Sequence, residues 1–172
     1  MQQLVNRLLF LARADKRTQR VCPERFSLSD LLDEIAKETR MIDSRHTLSV
    51  KVQNGIFLTA DRALLKQAVR AVLDNSMKYT PEGGAIGIVC AAENGTVHLT
   101  VKDTGIGISE KDLPHIFDRF YKADEARTRS AGGCGLGLSI VRWIVERHGG
   151  RIEVSSTPGS GTSFHIFLPQ DG

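Results

Sequence analysis

Val97-His98-Leu99-Thr100-Val101-Lys102-Asp103-Thr104-Gly105-Ile106-Gly107-Ile108 is an alternating strand that runs into a glycine-rich turn. Val97, Leu99, Val101 and Asp103 fall on one face of the strand, and His98, Thr100 and Lys102 on the other. A carboxylate that continues an apolar face is costly unless it gains a hydrogen-bond donor. An adenine amino group is one suitable donor, and Gly105 and Gly107 would let a ring approach the backbone closely. The other reading is an aspartate that caps the turn before Ser109.

Downstream, Gly132-Gly133-Cys134-Gly135-Leu136-Gly137-Leu138 opens a helix over 136–148. Small residues at a helix start leave unpaired N–H groups and a dipole that favours an anion. No Gly-Lys-Ser/Thr follows, so this is not a Walker A loop, and no βαβ unit surrounds it as a Rossmann fingerprint requires. Between the two boxes, Arg119, Lys122, Arg127 and Arg129 alternate with Asp118, Asp124 and Glu125. Phe117, Phe120 and Tyr121 lie in the same polar stretch and need somewhere to pack. The order of these parts suits a nucleotide held between a sheet edge and a helix N-terminus, under a lid.

Outward from this centre, residues 1–12 carry Leu4, Leu8 and Leu11 at helical spacing, a stripe with no evident partner. Residues 13–25 are charged, contain Pro23 and read as a linker. Ser27 and Ser29 are N-cap candidates for a helix with Leu28, Leu31, Leu32, Ile35 and Ala36 inward. Residues 47–59 predict a hairpin turning at Asn54-Gly55. Asp61 opens a helix that buries Leu64, Leu65, Ala68, Val69 and Val72 and ends at Thr80-Pro81-Glu82-Gly83-Gly84. Strands follow at 85–92 and 96–102, and again at 151–156 and 162–168. Strands and helices mix without strict βαβ alternation, which favours an α+β sandwich.

Asn75 shares a helix stripe with Ala68, Val72 and Tyr79, so its amide points to the core side. Its oxygen suits Mg²⁺, with Lys78 one turn further on as a point charge for phosphate, although a lone asparagine is more often a core residue bonded to backbone. The chain has 172 residues, 41% hydrophobic and 25% charged, with a net charge of +3. Scattered basic residues give no stripe for nucleic acid. Cys22, Cys90 and Cys134 form no CxxC pair, which argues against a disulfide framework or zinc site. Nothing beside Cys134 in sequence marks it as activated. The five histidines show no clustering, and His148 reads as a cation at a helix C-terminus.

Five motifs in order carry a family resemblance. Leu73-Asp74-Asn75-Ser76-Met77-Lys78-Tyr79-Thr80-Pro81 resembles the N box of bacterial two-component sensor histidine kinases. Asp103–Ile108 resembles their first glycine box, Phe117-Asp118-Arg119-Phe120-Tyr121 their F box, Gly133–Leu138 their second glycine box and Gly159-Ser160-Gly161-Thr162 their last. The resemblance implies the Bergerat ATP-binding fold, a two-layer α/β sandwich whose mixed sheet carries three helices on one face, with an ATP lid. It implies a Mg²⁺–ATP site in which Asn75 holds the metal and, with Lys78, serves phosphoryl transfer. Asp103 would take the adenine amino group. Tyr79, Gly105, Gly107, Ile108, Phe120, Lys122, Arg127, Gly133, Gly135, Leu136, Gly137, Leu138 and Thr162 would line the nucleotide.

Two positions depart from the family pattern: Ala71 stands where a second asparagine is usual, and Cys134 where Thr or Ser is common. The resemblance divides the chain into a stub of the dimerisation helix (1–14), a linker (15–25) and the catalytic domain (26–169). The phosphoacceptor helix would lie outside these residues. Implied partners are the dimerisation/phosphotransfer domain of the same protein and a response regulator. The full-length protein would be a membrane-anchored homodimer. This piece would be its cytoplasmic portion, monomeric, without membrane contact and unable to label itself. The alternatives are an anti-sigma-type serine kinase, a gyrase- or Hsp90-like ATPase, against which Ala71 argues, and a non-catalytic ATP-binding or interaction module.

Overall fold

The alternation that ends in Asp103 is realised as the middle strand of a sheet. The computed structural model describes residues 1–123 and 133–170. Its elements in chain order are α1 (Gln2–Asp15), β1 (Glu24–Ser27), α2 (Leu28–Ile42), β2 (Thr47–Val52), β3 (Phe57–Ala60), α3 (Arg62–Tyr79), β4 (Ala85–Glu93) and β5 (Thr96–Asp103), followed by a 3₁₀ turn (Leu113–His115), α4 (Gly137–Arg147), β6 (Arg151–Thr157) and β7 (Gly161–Pro169). Five strands form a sheet in the order β2-β4-β5-β7-β6, with β2 parallel to β4 and every other pairing antiparallel.

Period two sets the faces of this sheet. Ile86, Ile88 and Cys90 of β4, Val97, Leu99 and Val101 of β5, and Phe164, Ile166 and Leu168 of β7 are all buried. They share one core with Leu31, Leu32 and Ile35 of α2, Leu65, Val69 and Val72 of α3, and Val141, Ile144 and Val145 of α4. Full burial of such a side chain contributes roughly 1.5–3 kcal/mol. That outweighs the ladder of ion pairs joining α2 to α3, in which Glu34 meets Arg62 and Lys66, and Glu38 meets Lys66 and Arg70, all partly exposed. Burial holds the Cys90 thiol protonated, its pKa pushed up to about 12.

Side-chain caps fix where the helices begin. Ser27 Oγ accepts from the Asp30 N–H at 3.1 Å, as its position predicts. Asp61 Oδ1 accepts from the Leu64 N–H at 3.0 Å, while Oδ2 takes the Cys22 N–H at 2.9 Å and ties down the approach to β1. At its far end α3 is anchored by His46, which bridges Asp43 Oδ2 at 2.6 Å and the Thr80 carbonyl at 2.8 Å.

Four expectations need correction or extension. Asn54-Gly55 forms a turn but no hairpin, because β2 pairs with β4 and β3 pairs with β1 in a separate two-stranded sheet. Ser29 Oγ stands between the diverging strands, donating to the Gln53 carbonyl at 2.7 Å and accepting from the Ile56 N–H at 3.0 Å. His148 does more than sit at a helix end: its Nε2 accepts the Asp61 N–H at 3.0 Å while Nδ1 faces the Ile144 carbonyl at 2.7 Å, which ties the end of α4 to the start of α3. His98 and His165 do meet, with Nε2 and Nδ1 3.1 Å apart on the outer face of the sheet. The first helix finds a partner only toward its C-terminal end, and Leu4 and Leu8 of the expected stripe stay exposed. α1 packs on α4, burying Leu11 and Ala14 and setting the Phe10 ring edge-on to Trp143 at 5.1 Å. No helix among the described residues is long and apolar enough to cross a membrane.

Candidate functional site

Asp103 ends the central strand, not an edge strand, at the floor of a cavity of about 910 Å³. It is 3% exposed, and its Oδ1 accepts from the Gly105 N–H at 2.9 Å and the Thr162 N–H at 3.2 Å. Those bonds anchor the carboxylate and fix its plane. Among the described residues nothing engages Oδ2, so one acceptor remains for a donor inside the cavity. The turn contacts thus account for Oδ1, while Oδ2 stays open toward the cavity.

The glycines after it exist because backbone crowds them. Gly107 adopts φ +73°, and a Cβ there would come within 2.2 Å of the Thr157 carbonyl. The Ile106 N–H bonds the Tyr79 carbonyl at 3.1 Å, the Gly159 N–H bonds the Ile106 carbonyl at 2.8 Å, and the Ile108 N–H bonds Ser156 Oγ at 2.8 Å. The first glycine box is thus clamped between the end of α3 and the β6–β7 hairpin, where Ser156 Oγ also touches Thr162 Oγ1 at 2.9 Å.

α3 supplies the opposite wall. Asn75 is half-buried there, and among the described residues its amide has no hydrogen-bond partner. Lys78, one turn on, lays its ammonium 5.0 Å from the Tyr79 ring centre and directly under Gly133, where a Cβ would lie 2.4 Å from Nζ. Ala71 lines the same wall as a small apolar step. Asp74 sits exposed at the rim, and desolvation holds its carboxyl above the usual range although Arg70 and Arg7 pull the other way.

The second glycine box leads into α4. The Phe120 N–H bonds the Gly135 carbonyl at 2.9 Å, and Gly135, at φ +69°, has no room for a Cβ against the Phe120–Tyr121 backbone. Tyr121 donates to the buried Asp112 carboxylate at 2.6 Å, and Ser109 donates to its other oxygen. These bonds hold Asp112 below the usual carboxylate range and raise the Tyr121 phenol. One of the three loop aromatics therefore finds its place through its hydroxyl. Phe117 packs edge-on against Phe164 with ring centres 6.4 Å apart. Phe120 stays 60% exposed at φ +62°.

The structure brings Asn75, Lys78, Tyr79, Asp103, Gly107, Ile108, Lys122, Gly133, Gly135, Gly137, Leu138 and Thr162 to this one cavity. Three expected residues lie off its wall. Leu136 is fully buried in the core, Phe120 faces outward, and Gly105 lies behind Asp103, against the Tyr79 carbonyl. Arg127 lies outside the described residues. Sequence reasoning missed Gln3 and Arg7, which enter the cavity from α1. It also missed the state of Cys134. Burial opposes ionisation of this thiol, but Arg7 Nη1 at 3.5 Å and the Leu136 N–H outweigh it and hold Cys134 below the usual thiol range.

A mixed sheet under three helices, with a buried carboxylate at the end of the central strand and a glycine-lined opening to a helix start, defines a Bergerat-type ATP-binding sandwich. The model of the histidine kinase-, DNA gyrase B- and HSP90-like ATPases matches residues 60–172, and the chain belongs to that family as a catalytic domain of the sensor histidine kinase type. It is 36% identical over 166 residues to the phosphate regulon sensor protein PhoR of Pseudomonas aeruginosa, covering 95% of this chain and 38% of that protein. The chain thus spans under two fifths of the length of that relative. Among solved structures it resembles the mycobacterial sensor histidine kinase MprB, with TM-score 0.76, 30% identity, and 87% of this chain and 98% of that chain covered. It also resembles full-length ShkA in complex with AMPPNP, with TM-score 0.85, 27% identity, and 98% and 35% covered.

Proposed function

We propose that this chain binds Mg²⁺–ATP and presents its γ-phosphoryl group to a histidine on a dimerisation domain outside these residues, from which a response-regulator aspartate takes it. The observation that carries the reading is the division of labour on Asp103: one oxygen fixed by backbone, the other left for a donor in the cavity. An adenine amino group donates where a guanine carbonyl would repel, so this carboxylate selects the base. The triphosphate runs from there toward the α4 start, whose unpaired N–H groups and small residues accept anions. Lys78 neutralises charge beneath Gly133, and Lys122 does so from the lid side.

Asn75 fits a metal ligand: a neutral hard oxygen on the cavity wall with no competing partner among the described residues. A Mg²⁺ held by Asn75 would supply positive charge to offset that of the phosphoryl group being transferred. The protein's own contribution is positioning and electrostatics, with the adenine held at one end so that the γ-phosphorus projects from the other. We assign residues 1–14 to the end of the dimerisation helix, residues 15–25 to a linker and residues 26–169 to the catalytic domain. In this reading the whole protein is a membrane-anchored homodimer with this portion in the cytoplasm. Four of the chain's five histidines are unsuited as acceptor: His46 and His148 are locked in hydrogen bonds, and His98 and His165 face away on the sheet.

The test is incubation with γ-labelled ATP, alone and mixed with a separately made dimerisation domain. Label should reach a histidine of the added domain only in the mixture. Label on serine, or on this chain by itself, would overturn the assignment.

A further inference from the structure

Gln3 and Arg7 lie one turn apart on α1, and both line the cavity whose other walls come from residues 71–162. Their placement follows from how α1 docks. Arg7, Phe10, Leu11 and Ala14 share one helix stripe. Phe10 meets Trp143, Leu11 and Ala14 are buried, and Asp15 accepts from both terminal nitrogens of Arg119 at 2.6 and 2.7 Å. The Trp143 contact holds the stripe against α4 and the Arg119 contact fixes the end of α1, so the half-buried Arg7 has little choice of direction. Its Nη1 sits 3.5 Å from the thiol of Cys134, between the glycines that open α4.

A thiol is a weak acceptor and engages one of five guanidinium donors. Arg7 thus lines the cavity beside the residue that leads into α4. Lys78 is already placed beneath Gly133. Arg7 therefore adds a cation to Lys78 and Lys122 around this cavity, brought in from outside the sandwich.

We propose that Arg7 binds the terminal phosphate of the nucleotide, so that docked α1 completes the site and favours ATP over ADP. The proposal rests on the nucleotide reading above. Arginine suits the role because its planar fork takes two oxygens of one phosphate at once, which a lysine cannot reproduce.

Calorimetry of the full chain with Mg·AMPPNP and with Mg·ADP tests it, on wild type, Arg7→Ala, Arg7→Lys and Phe10→Ala. Arg7→Ala should lose about 10- to 100-fold in AMPPNP affinity and under about threefold in ADP affinity. Arg7→Lys should recover only part of the loss. Phe10→Ala, which keeps Arg7 but loosens α1, should show the same selective loss. The proposal is overturned if Arg7→Ala keeps the wild-type ratio of the two affinities, or lowers both equally. It is also overturned if Phe10→Ala leaves the ratio intact while Arg7→Ala does not. Wild type that binds neither nucleotide overturns the nucleotide reading and this proposal together. Wild type that binds ADP and AMPPNP with equal affinity overturns this proposal alone.

Discussion

Two glycines 26 positions apart show how differently the same residue type can act. A Cβ at Gly107 would collide with the Thr157 backbone at 2.2 Å, in a left-handed conformation that alanine resists. Among the described residues, a Cβ at Gly133 would meet only the tip of Lys78, at 2.4 Å. Gly107→Ala should therefore destabilise the fold by about 1–3 kcal/mol, read by chemical denaturation. Gly133→Ala should leave the denaturation midpoint nearly unchanged and weaken nucleotide binding several-fold by displacing the ammonium. Equal effects of both variants on stability would contradict this distinction. At this scale much was legible in sequence. Asp103 announced itself because a carboxylate broke an apolar alternation, and Asn75 because an amide broke a helix stripe. Arg7 gave no such signal: its contact with Cys134 spans 127 positions, and a basic residue on an amphipathic helix looks like solvated surface.

Helices were easier to read than strand partners. Ser27 and Asp61 cap as their positions predict because capping involves residues two or three apart, which a linear reading sees. Asp61 has a second role that no local pattern shows, since its other oxygen holds the Cys22 N–H across 39 positions. Asp61→Ala should thus cost about 1–3 kcal/mol, more than a simple cap, because a buried donor at Leu64 and a partly buried one at Cys22 lose their acceptor. A loss under about 1 kcal/mol in urea unfolding would show that water replaces both bonds. Asn54-Gly55 misled for the converse reason. The dipeptide does turn the chain, but β2 pairs with β4 and β3 with β1, partners that lie far from the turn in sequence. Ser29, distant in sequence, then satisfies the groups a hairpin would have paired.

The whole molecule carries its titratable groups in a pattern that sets the direction of its pH response. Lys66 and Arg62 hold Glu34 below the usual range, Lys66 and Arg70 do the same for Glu38, and Ser109 and Tyr121 for Asp112. For Asp43, burial opposes the shift but His46 and the Arg45 N–H outweigh it. His165 is held below the usual imidazole value by burial and by His98, with Glu153 opposing. In each case the unfolded chain binds more protons than the folded one, so stability rises with pH. The His165 share is lost as pH falls below about 6.5, and the carboxylate share as it falls below about 4. Asp74, shifted the other way, offsets a little of this. Tm followed by circular dichroism should fall in those two stages, and a flat profile from pH 7 to pH 3 would contradict the assignments. The two-layer architecture was legible because period two and period 3.6 alternate clearly along the chain; the docking of α1 was not, because its partner helix begins 122 positions after it ends. The proposed function has the sandwich hold Mg·ATP through the Asp103 oxygen that no described residue engages. Calorimetry with Mg·AMPPNP on wild type and Asp103→Asn tests it most directly. Wild type should bind, and the variant, with melting behaviour intact, should lose about 10- to 100-fold in affinity. Absence of wild-type binding, or equal affinity in the variant, would contradict the account.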